Sequence, residues 1–469
     1  MLADKKVLRD LLPQVVATIL GTLMATSDGM TYGWTSPMIP YFLSNETHIV
    51  MTLDQAEWME TINLLGAAAG LPFTILGVDY LGRKTSMIIS AIFGCICWIL
   101  LLVSTNLYVI YFARFLAGMA GDMCFVAAPM YIAEIAVPKI RGFLASLIYL
   151  QMLLGIVIIY TTGSLLPYYV PPIIGIVLTS CQFILFPFMP ESPYYYVYKN
   201  KEEKAKTALL RLRSDPDIDK EITEIKQAVE RQKTEKGRPQ DLILIRSNRI
   251  ALFIMFILNG SQHFIGISVI LMNLHVILNE AGSIYIEPAS AAIIFSVIML
   301  VSAGIASLIM DKFGRKFLLV ISESLTGVAL LVMTIYFHLK HLEFDVINVS
   351  WIPAACVMFY AATFKIGLGL VPIVVTAEIF PTTIKAIGMT IADCVYVVAA
   401  VISINIYSVM FKSFGIYAPF YLFTSCSFLM VIFTIFWIPE TKGKTLDEIQ
   451  LMLKGEKATD RKISNSIHI

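Results

Sequence analysis

A stripe of polar side chains in the apolar segment 249–272 could bind a solute. The positions lie at i, i+3, i+4 and i+7, on one face of a helix: Asn259, Gln262, His263 and Gly266. In an otherwise apolar helix, such a face lines a cavity or contacts another helix. Amides offer donors and acceptors and therefore suit a ligand rich in hydroxyl groups. The alternative is hydrogen bonding between helices, which the same residue types provide.

Other polar residues lie in apolar segments, where most single Ser or Tyr side chains only pack. The further candidates for a solute site are Tyr149, Gln151, Ser268, Tyr396 and Asn405. Ionisable residues inside such segments commonly mark ion or proton pathways; here they are Asp28, Asp122, Lys365 and Asp393. Asp28 is the candidate for proton coupling, and pairing of Lys365 with a carboxylate such as Asp393 stays open.

A charged motif, Asp-x-x-Gly-Arg-Lys, occurs twice, at 79–84 and 311–316, each time between two long apolar segments. Glu134 precedes Arg141 by seven residues, as Glu378 precedes Lys385. Basic residues flank many membrane helices for topological reasons alone. Because several landmarks recur together, we expect a duplicated membrane unit.

Composition places the chain among helical membrane proteins. Of its 469 residues, 57% are hydrophobic and 15% are charged, and the net charge is +1. A soluble chain would carry about a quarter charged residues. The sequence shows no enzyme constellation and no basic surface for nucleic acid, so we expect a protein that is not an enzyme and binds no nucleic acid. All seven cysteines fall in apolar segments, and we expect no disulfide, metal or cofactor.

Twelve apolar segments are long enough to cross a bilayer. The predicted helices are 13–36, 57–78, 85–104, 108–133, 143–166, 171–189, 249–272, 289–310, 317–337, 351–376, 386–410 and 417–438. We expect a six-helix bundle in 1–190, a helical linker in 191–248, a second bundle in 249–438 and a tail in 439–469. Two parallel repeats of six helices predict a solute site near the membrane midplane, where the halves meet.

Charge in the loops predicts orientation. Basic residues mark one side, including the dense segment from Lys199 to Arg249, and the basic side is cytoplasmic. We therefore expect both termini in the cytoplasm and glycosylation sequons outside the cell at Asn45 and Asn348.

The linker reads as two amphipathic helices, 201–213 and 219–233, separated by residues 215–217. Apolar positions predict that one helical face packs on a neighbour: Leu209, Leu210, Leu212, Ile218, Ile222 and Ile225. A solvated linker is the alternative. The tail beyond Lys454 is expected to be partly disordered.

Together these motifs resemble the sugar porter family of the major facilitator superfamily over essentially the whole chain. The resemblance rests on both Asp-x-x-Gly-Arg-Lys loops, Arg114 with Gly118, Pro129-Met130-Tyr131, Pro190-Glu191-Ser192-Pro193, Gln262 with Gly266-Ile267, Glu378-Ile379-Phe380-Pro381 and Pro439-Glu440-Thr441-Lys442-Gly443. The Gly33-Trp34-Thr35-Ser36-Pro37 run is similar to the insect branch of facilitated trehalose transporters.

The resemblance implies the major facilitator fold and a facilitative transporter of a hexose or trehalose-like sugar, monomeric in the plasma membrane and working by alternating access of two bundles. It implies a conformational latch of cytoplasmic charges: Asp79, Arg83, Arg114, Glu134, Arg141 and Glu191 in one half, and Asp311, Arg315, Glu378, Lys385 and Glu440 in the other. A purely topological anchor is the alternative role. A sensor that binds without transport, and a proton symporter using Asp28, are the alternative functions.

Several sugar-contact positions depart from the family pattern. Gln-Gln in the seventh helix is Gln262-His263, and Gly-Pro-Gly-Pro in the tenth reads Gly367-Leu368-Gly369-Leu370. The other departures are Tyr149, Tyr194, Ser268, Ile373 and Tyr396. With fewer amides and more aromatic rings, the site suits another polyol or glycoside as well as glucose.

Overall fold

The computed structural model describes residues 2–45, 47–213, 218–234, 240–381, 384–444 and 446–454. Throughout these ranges the regular elements are helices, and twelve of them, some broken, are long and apolar enough to cross a membrane. The prediction of an all-α protein with twelve membrane-crossing segments is confirmed.

The chain forms two compact units, Met1–Thr234 and Glu235–Ile469. The boundary between them falls inside the predicted linker, whose exact limits stay a prediction. The helices of the first unit are α1 (Leu2–Gly21), α2 (Leu23–Gly33), α3 (Thr35–Phe42), α4 (Leu53–Tyr80), α5 (Arg83–Val103), α6 (Leu107–Ile135), α7 (Pro138–Leu165), α8 (Val170–Leu185), α9 (Pro193–Tyr198), α10 (Glu202–Leu212) and α11 (Ile218–Thr234).

The second unit repeats the pattern of long apolar helices. Its helices are α12 (Asp241–Leu244), α13 (Arg246–Phe264), α14 (Ile267–Ala281), α15 (Pro288–Phe313), α16 (Arg315–His341), α17 (Ile352–Ile366), α18 (Val371–Ile379), α19 (Lys385–Phe414), α20 (Tyr417–Trp437) and α21 (Leu446–Lys454). In the first unit α6 packs most extensively on α4 and α5, and in the second unit α16 packs on α17 and α20.

Three spans that the sequence predicts as continuous helices are broken. The first span bends at Thr22 and at Trp34, the seventh at Gly266 and the tenth between Ile366 and Val371. Gly266 adopts φ +93°, a left-handed conformation that glycine accepts without strain. The first break places the Met24 N–H in the first turn of α2, where an N–H has no partner within the helix, and Gln182 Oε1 accepts it at 2.6 Å. Hydropathy alone does not report such breaks, because the apolar sequence continues on both sides of each.

The predicted linker helices form and pack on one another. Ala205 and Leu209 of α10, Ile222, Ile225 and Val229 of α11, and Val197 of α9 share a small core. The prediction for Leu210 was wrong, since its side chain is 57% exposed on the outer face of α10. Residues 214–217, which include the predicted separator, lie outside the described residues.

Helix α21 is not among the predicted elements. It places Ile449 and Leu453 in buried positions, and it packs on α13 and α18 of the second unit. A short amphipathic helix in a polar tail gives a weak signal, because its stability comes from docking rather than from its own propensity.

Candidate functional site

The turn between the second and third spans is built around a buried carboxylate. Gly82 has φ +99°, and α5 begins at the next residue. Both oxygens of Glu191 accept the Lys84 N–H at 3.1 Å, and Oε1 accepts the Ser192 N–H at 2.8 Å. Burial raises the pKa of Glu191, while these two N–H groups lower it. Glu191 therefore caps the N-terminus of α5, where a negative charge is favoured.

The second unit contains the same arrangement. Gly314 has φ +89°, α16 begins at Arg315, and Glu440 accepts the N–H groups of Arg315 and Lys316 at 3.0 and 3.1 Å. A side chain added at either glycine would clash with the carboxylate. A Cβ at Gly82, for example, would lie 2.5 Å from Glu191 Oε2. The repeat seen in the sequence is thus a repeated helix-capping device.

An ion pair accompanies each cap. Arg83 Nη2 lies 2.9 Å from Glu134 Oε1, and Arg315 Nη2 lies 3.1 Å from Glu378 Oε1. Thr441 Oγ1 also donates to Glu378 Oε2 at 2.6 Å. Each pair joins two spans within a single unit. Pairing is expected here, because an isolated charge buried beside apolar helices is costly.

Aromatic residues complete the first charge cluster, and sequence analysis missed their role. The Arg83 guanidinium lies 5.7 Å from the centre of the Tyr195 ring, and Tyr195 Oη donates to the Tyr80 carbonyl at 2.8 Å. Tyr195 lies just after the Pro190-Glu191-Ser192-Pro193 motif, and this position is the feature of the sequence that could have indicated its role.

The polar face of α13 divides into two parts. Asn259 Nδ2 donates to Met255 O at 3.0 Å and to Thr376 Oγ1 on α18 at 3.1 Å. Asn259 therefore joins two helices, as the alternative interpretation of the stripe predicted. Gln262 and His263 are 3% and 0% exposed, and no described residue forms a hydrogen bond to the Nε2 atom of either.

Other predicted site residues collect around His263. Its Nδ1 lies 2.7 Å from Ser268 Oγ, across the break at Gly266, and its ring centre lies 4.1 Å from that of Tyr396. Tyr149 belongs to α7 of the first unit. The second unit thus brings together an amide, an imidazole, a hydroxyl and an aromatic ring, which suit hydroxyl recognition.

A family model described as "Sugar (and other) transporter" matches residues 14–453. The chain belongs to this sugar transporter family. The predicted membership is confirmed, and with it the kind of fold that the repeated motifs indicate.

Curated members of the sugar transporter family resemble the chain over nearly its whole length. The facilitated trehalose transporter Tret1 of Drosophila virilis is 29% identical over 96% of this chain and 50% of its own length. Solute carrier family 2, facilitated glucose transporter member 6, of Mus musculus is 29% identical over 95% of this chain and 92% of its own. The chain spans about half the length of the Drosophila relatives.

Solved structures agree on the fold. The inward open conformation of the xylose transporter XylE from E. coli aligns with a TM-score of 0.72 at 21% identity, covering 94% of this chain and 98% of XylE. The major facilitator superfamily proton:xylose symporter XylE bound to 6-bromo-6-deoxy-D-glucose also aligns at 0.72, with 19% identity, covering 94% and 99%.

The position of Arg114 in this sugar transporter family member differs from the prediction. It was expected in the charge cluster with Glu134, but both lie on α6, twenty residues apart, or about 30 Å along a helix. Arg114 is fully buried, donates to the carbonyls of Thr31 and Met59, and lies 5.5 Å from the Trp34 ring centre. Counting helical rise would have separated these charges from sequence alone.

The other charged residues of the predicted latch are exposed or lie outside the described side chains. Asp79 and Arg141 are exposed, and Arg141 Nη2 lies 3.4 Å from the Ala136 carbonyl. The side chains of Asp311 and Lys385 lie outside the described part of the chain.

The remaining predictions concern Asp28, for proton coupling, and the glycosylation sites Asn45 and Asn348. Asp28 lies against Gly121 of α6, where any added Cβ would collide with its carboxylate, and it interacts electrostatically with Arg114 and Asp122. The side chains of Asn45 and Asn348, the predicted glycosylation sites, are exposed.

Proposed function

We propose that this chain is a facilitative transporter of a hexose or trehalose-like sugar, which it moves down its gradient by alternating access. The observation that supports this most is that the buried Nε2 atoms of Gln262 and His263 have no hydrogen-bond partner among the described residues. A buried polar group without a partner is costly, and sugar hydroxyls would supply the missing hydrogen bonds. We place Ser268, Tyr149 and Tyr396 as further substrate contacts, and assign Asn259 an indirect role through Thr376.

The two charge clusters are proposed to act as the conformational latch. The members are Asp79, Arg83, Arg141, Glu134 and Glu191 in the first unit, and Asp311, Arg315, Glu378, Lys385 and Glu440 in the second. The alternative role is a topological anchor. Reversing one charge with Glu378→Arg distinguishes the roles: a latch shifts the balance between the two facings at normal surface abundance, whereas an anchor lowers abundance alone. Restoration by Arg315→Glu in the same chain supports pairing.

Uptake into proteoliposomes tests the function. The purified full chain is supplied with radiolabelled trehalose, glucose and xylose, with and without a pH gradient. We expect saturable uptake of one or more sugars that stops at equal concentrations and needs no gradient. Sugar binding without any uptake would replace the proposal with a sensor.

Proton symport is the second candidate, because Asp28 lies near Arg114 and Asp122 in the first unit. It predicts uptake above the equilibrium level when the outside is acidic, and loss of that accumulation in Asp28→Asn. Uptake that is indifferent to the gradient in both proteins excludes it.

Location follows from the same proposal. We infer that the chain is a monomer in the plasma membrane, with both termini cytoplasmic, and that its partners are a sugar and the lipid bilayer. The exposure of Asn45 and Asn348 supports placing those two loops outside the cell. We assign it carrier activity rather than catalysis.

A further inference from the structure

The break in the tenth span disturbs the regular backbone bonding of a helix. Helix α17 ends at Ile366 and α18 begins at Val371. Gly369 N donates to Phe364 O at 2.8 Å, one residue farther back than in a regular helix, and Val371 N donates to Gly367 O at 2.9 Å. This leaves the Leu368 N–H and the Thr363 carbonyl in need of other partners, since buried backbone groups are almost always paired.

A single hydroxyl on the neighbouring helix serves both groups. Ser322 Oγ on α16 accepts the Leu368 N–H at 3.0 Å and donates to the Thr363 carbonyl at 2.7 Å. A serine hydroxyl has one donor and two acceptor positions, so it can form both bonds at once. Ser322 is 1% exposed, which leaves little access for water to take its place.

Close contact makes this arrangement specific. A Cβ at Gly367 would collide with the carbonyl oxygen of Leu318 and with Cβ of Ser322. The glycine therefore allows the broken segment to approach α16 closely enough for the hydroxyl to reach it.

The direction of α18 after the break determines two contacts described above. Thr376 on α18 accepts the Asn259 amide, and Glu378 at its end pairs with Arg315. A change in the angle at the break would move both contacts together, because a helix of nine residues moves as one piece.

The sequence explains why this chain needs such a bond. In the family that it resembles, a proline occupies the position of Leu368, and proline has no N–H. Leucine restores an N–H that must be satisfied in a buried place. Ser322 supplies the acceptor.

We propose that Ser322 is a positioning residue that holds the break of the tenth span and thereby aligns α18 with the substrate site and the Arg315–Glu378 pair. Its effect on transport rests on the proposed function, but its effect on the break does not. The two are measured separately.

Hydrogen exchange of the purified full chain in lipid nanodiscs, without sugar, tests the bond. Ser322→Ala should raise the exchange rate of the Leu368 amide by about tenfold, with other spans unchanged. Ser324→Ala is the matched control, because Ser324 Oγ donates one turn back on its own helix, to Val320 O at 2.7 Å. An unchanged Leu368 amide, or equal acceleration throughout the chain, overturns the proposal.

Uptake of radiolabelled trehalose or glucose tests the consequence. Ser322→Ala should raise KM about fivefold. The rise should be smaller when Leu368→Pro removes the N–H that needs the hydroxyl, because only the bond to the Thr363 carbonyl is then lost. An equal effect in both backgrounds contradicts the proposal. If neither sugar is transported, or Leu368→Pro does not fold, the exchange of the Leu368 amide decides the matter alone.

Discussion

Gln262 and His263 differ from Asn259, on the same polar stripe, in their hydrogen-bond partners. The Asn259 amide donates hydrogen bonds to Met255 O and Thr376 Oγ1, whereas the Nε2 atoms of Gln262 and His263 have no partner among the described residues. Polar residues on one helical face therefore divide into packing and candidate binding roles. Only the positions of neighbouring helices make that division.

Gln262→Ala should raise KM for the transported sugar about tenfold while leaving the melting temperature nearly unchanged. The reason is that a bond to a substrate hydroxyl is lost, while no described residue loses a hydrogen bond to Nε2. Uptake kinetics and thermal unfolding measure the two quantities. Asn279→Ala, an exposed amide at the end of the same span, is the control and should leave KM unchanged. A large drop in stability with unchanged KM would assign Gln262 to packing.

Glu323 is a buried carboxyl that the proposed mechanism does not use. Thr434 Oγ1 donates to its Oε1 at 2.8 Å, and no described residue forms a hydrogen bond to Oε2. Glutamine at this position would keep an oxygen that can accept the Thr434 hydroxyl. We expect Glu323→Gln to change the melting temperature by less than about 2 °C, and Thr434→Val to lower it more. A large loss in Glu323→Gln would mean that the charge itself is needed.

At the scale of elements, the two charged motifs are helix starts closed by a distant carboxylate. Glu191 and Glu440 each accept backbone N–H groups at the first turn of a long helix, α5 or α16. The carboxylate comes from more than a hundred residues away in the chain. This explains why both loops need glycine at the turn and why the acid lies at the end of each bundle's sixth span.

Removing one cap tests this interpretation. Glu440→Ala should destabilise the protein by about 1–2 kcal/mol, the usual cost of losing an N-terminal cap, and Glu440→Gln by less, because one acceptor remains. Thermal unfolding in detergent measures both. Glu203→Ala, an exposed acid of α10, is the control. Equal stability of Glu440→Ala and the control would contradict a capping role.

Broken spans are the elements for which sequence reasoning was least informative. Glycine at 266 and the pattern at 367–370 were visible, but glycines also lie in unbroken helices such as α6 and α15. A break persists where side chains from other helices satisfy the freed backbone groups, as Gln182 does for Met24 and Ser322 for Leu368. Those partners lie far away in sequence, so no local pattern reports them.

For the whole molecule, the inferred topology can be tested through its sequons. When the chain is expressed in a glycosylating cell, Asn45→Gln and Asn348→Gln should each remove one glycan and increase electrophoretic mobility, and the double variant should run like enzymatically deglycosylated protein. The reason is that both loops are exposed and an odd number of spans precedes each. Unchanged mobility of all three variants would contradict an external position for these loops.

The amino-acid sequence by itself determined the class of protein, the twelve membrane-crossing segments, the duplication and the family. These depend on hydrophobic run length and on short motifs, which are local properties and survive without knowledge of contacts. The tertiary structure alone decided which charges pair, that Arg114 lies away from Glu134 among Trp34 and backbone carbonyls, and which polar residues of α13 have partners. Each of these depends on which helices are neighbours, and partners from distant parts of the chain satisfy buried polar groups only once the helices have packed.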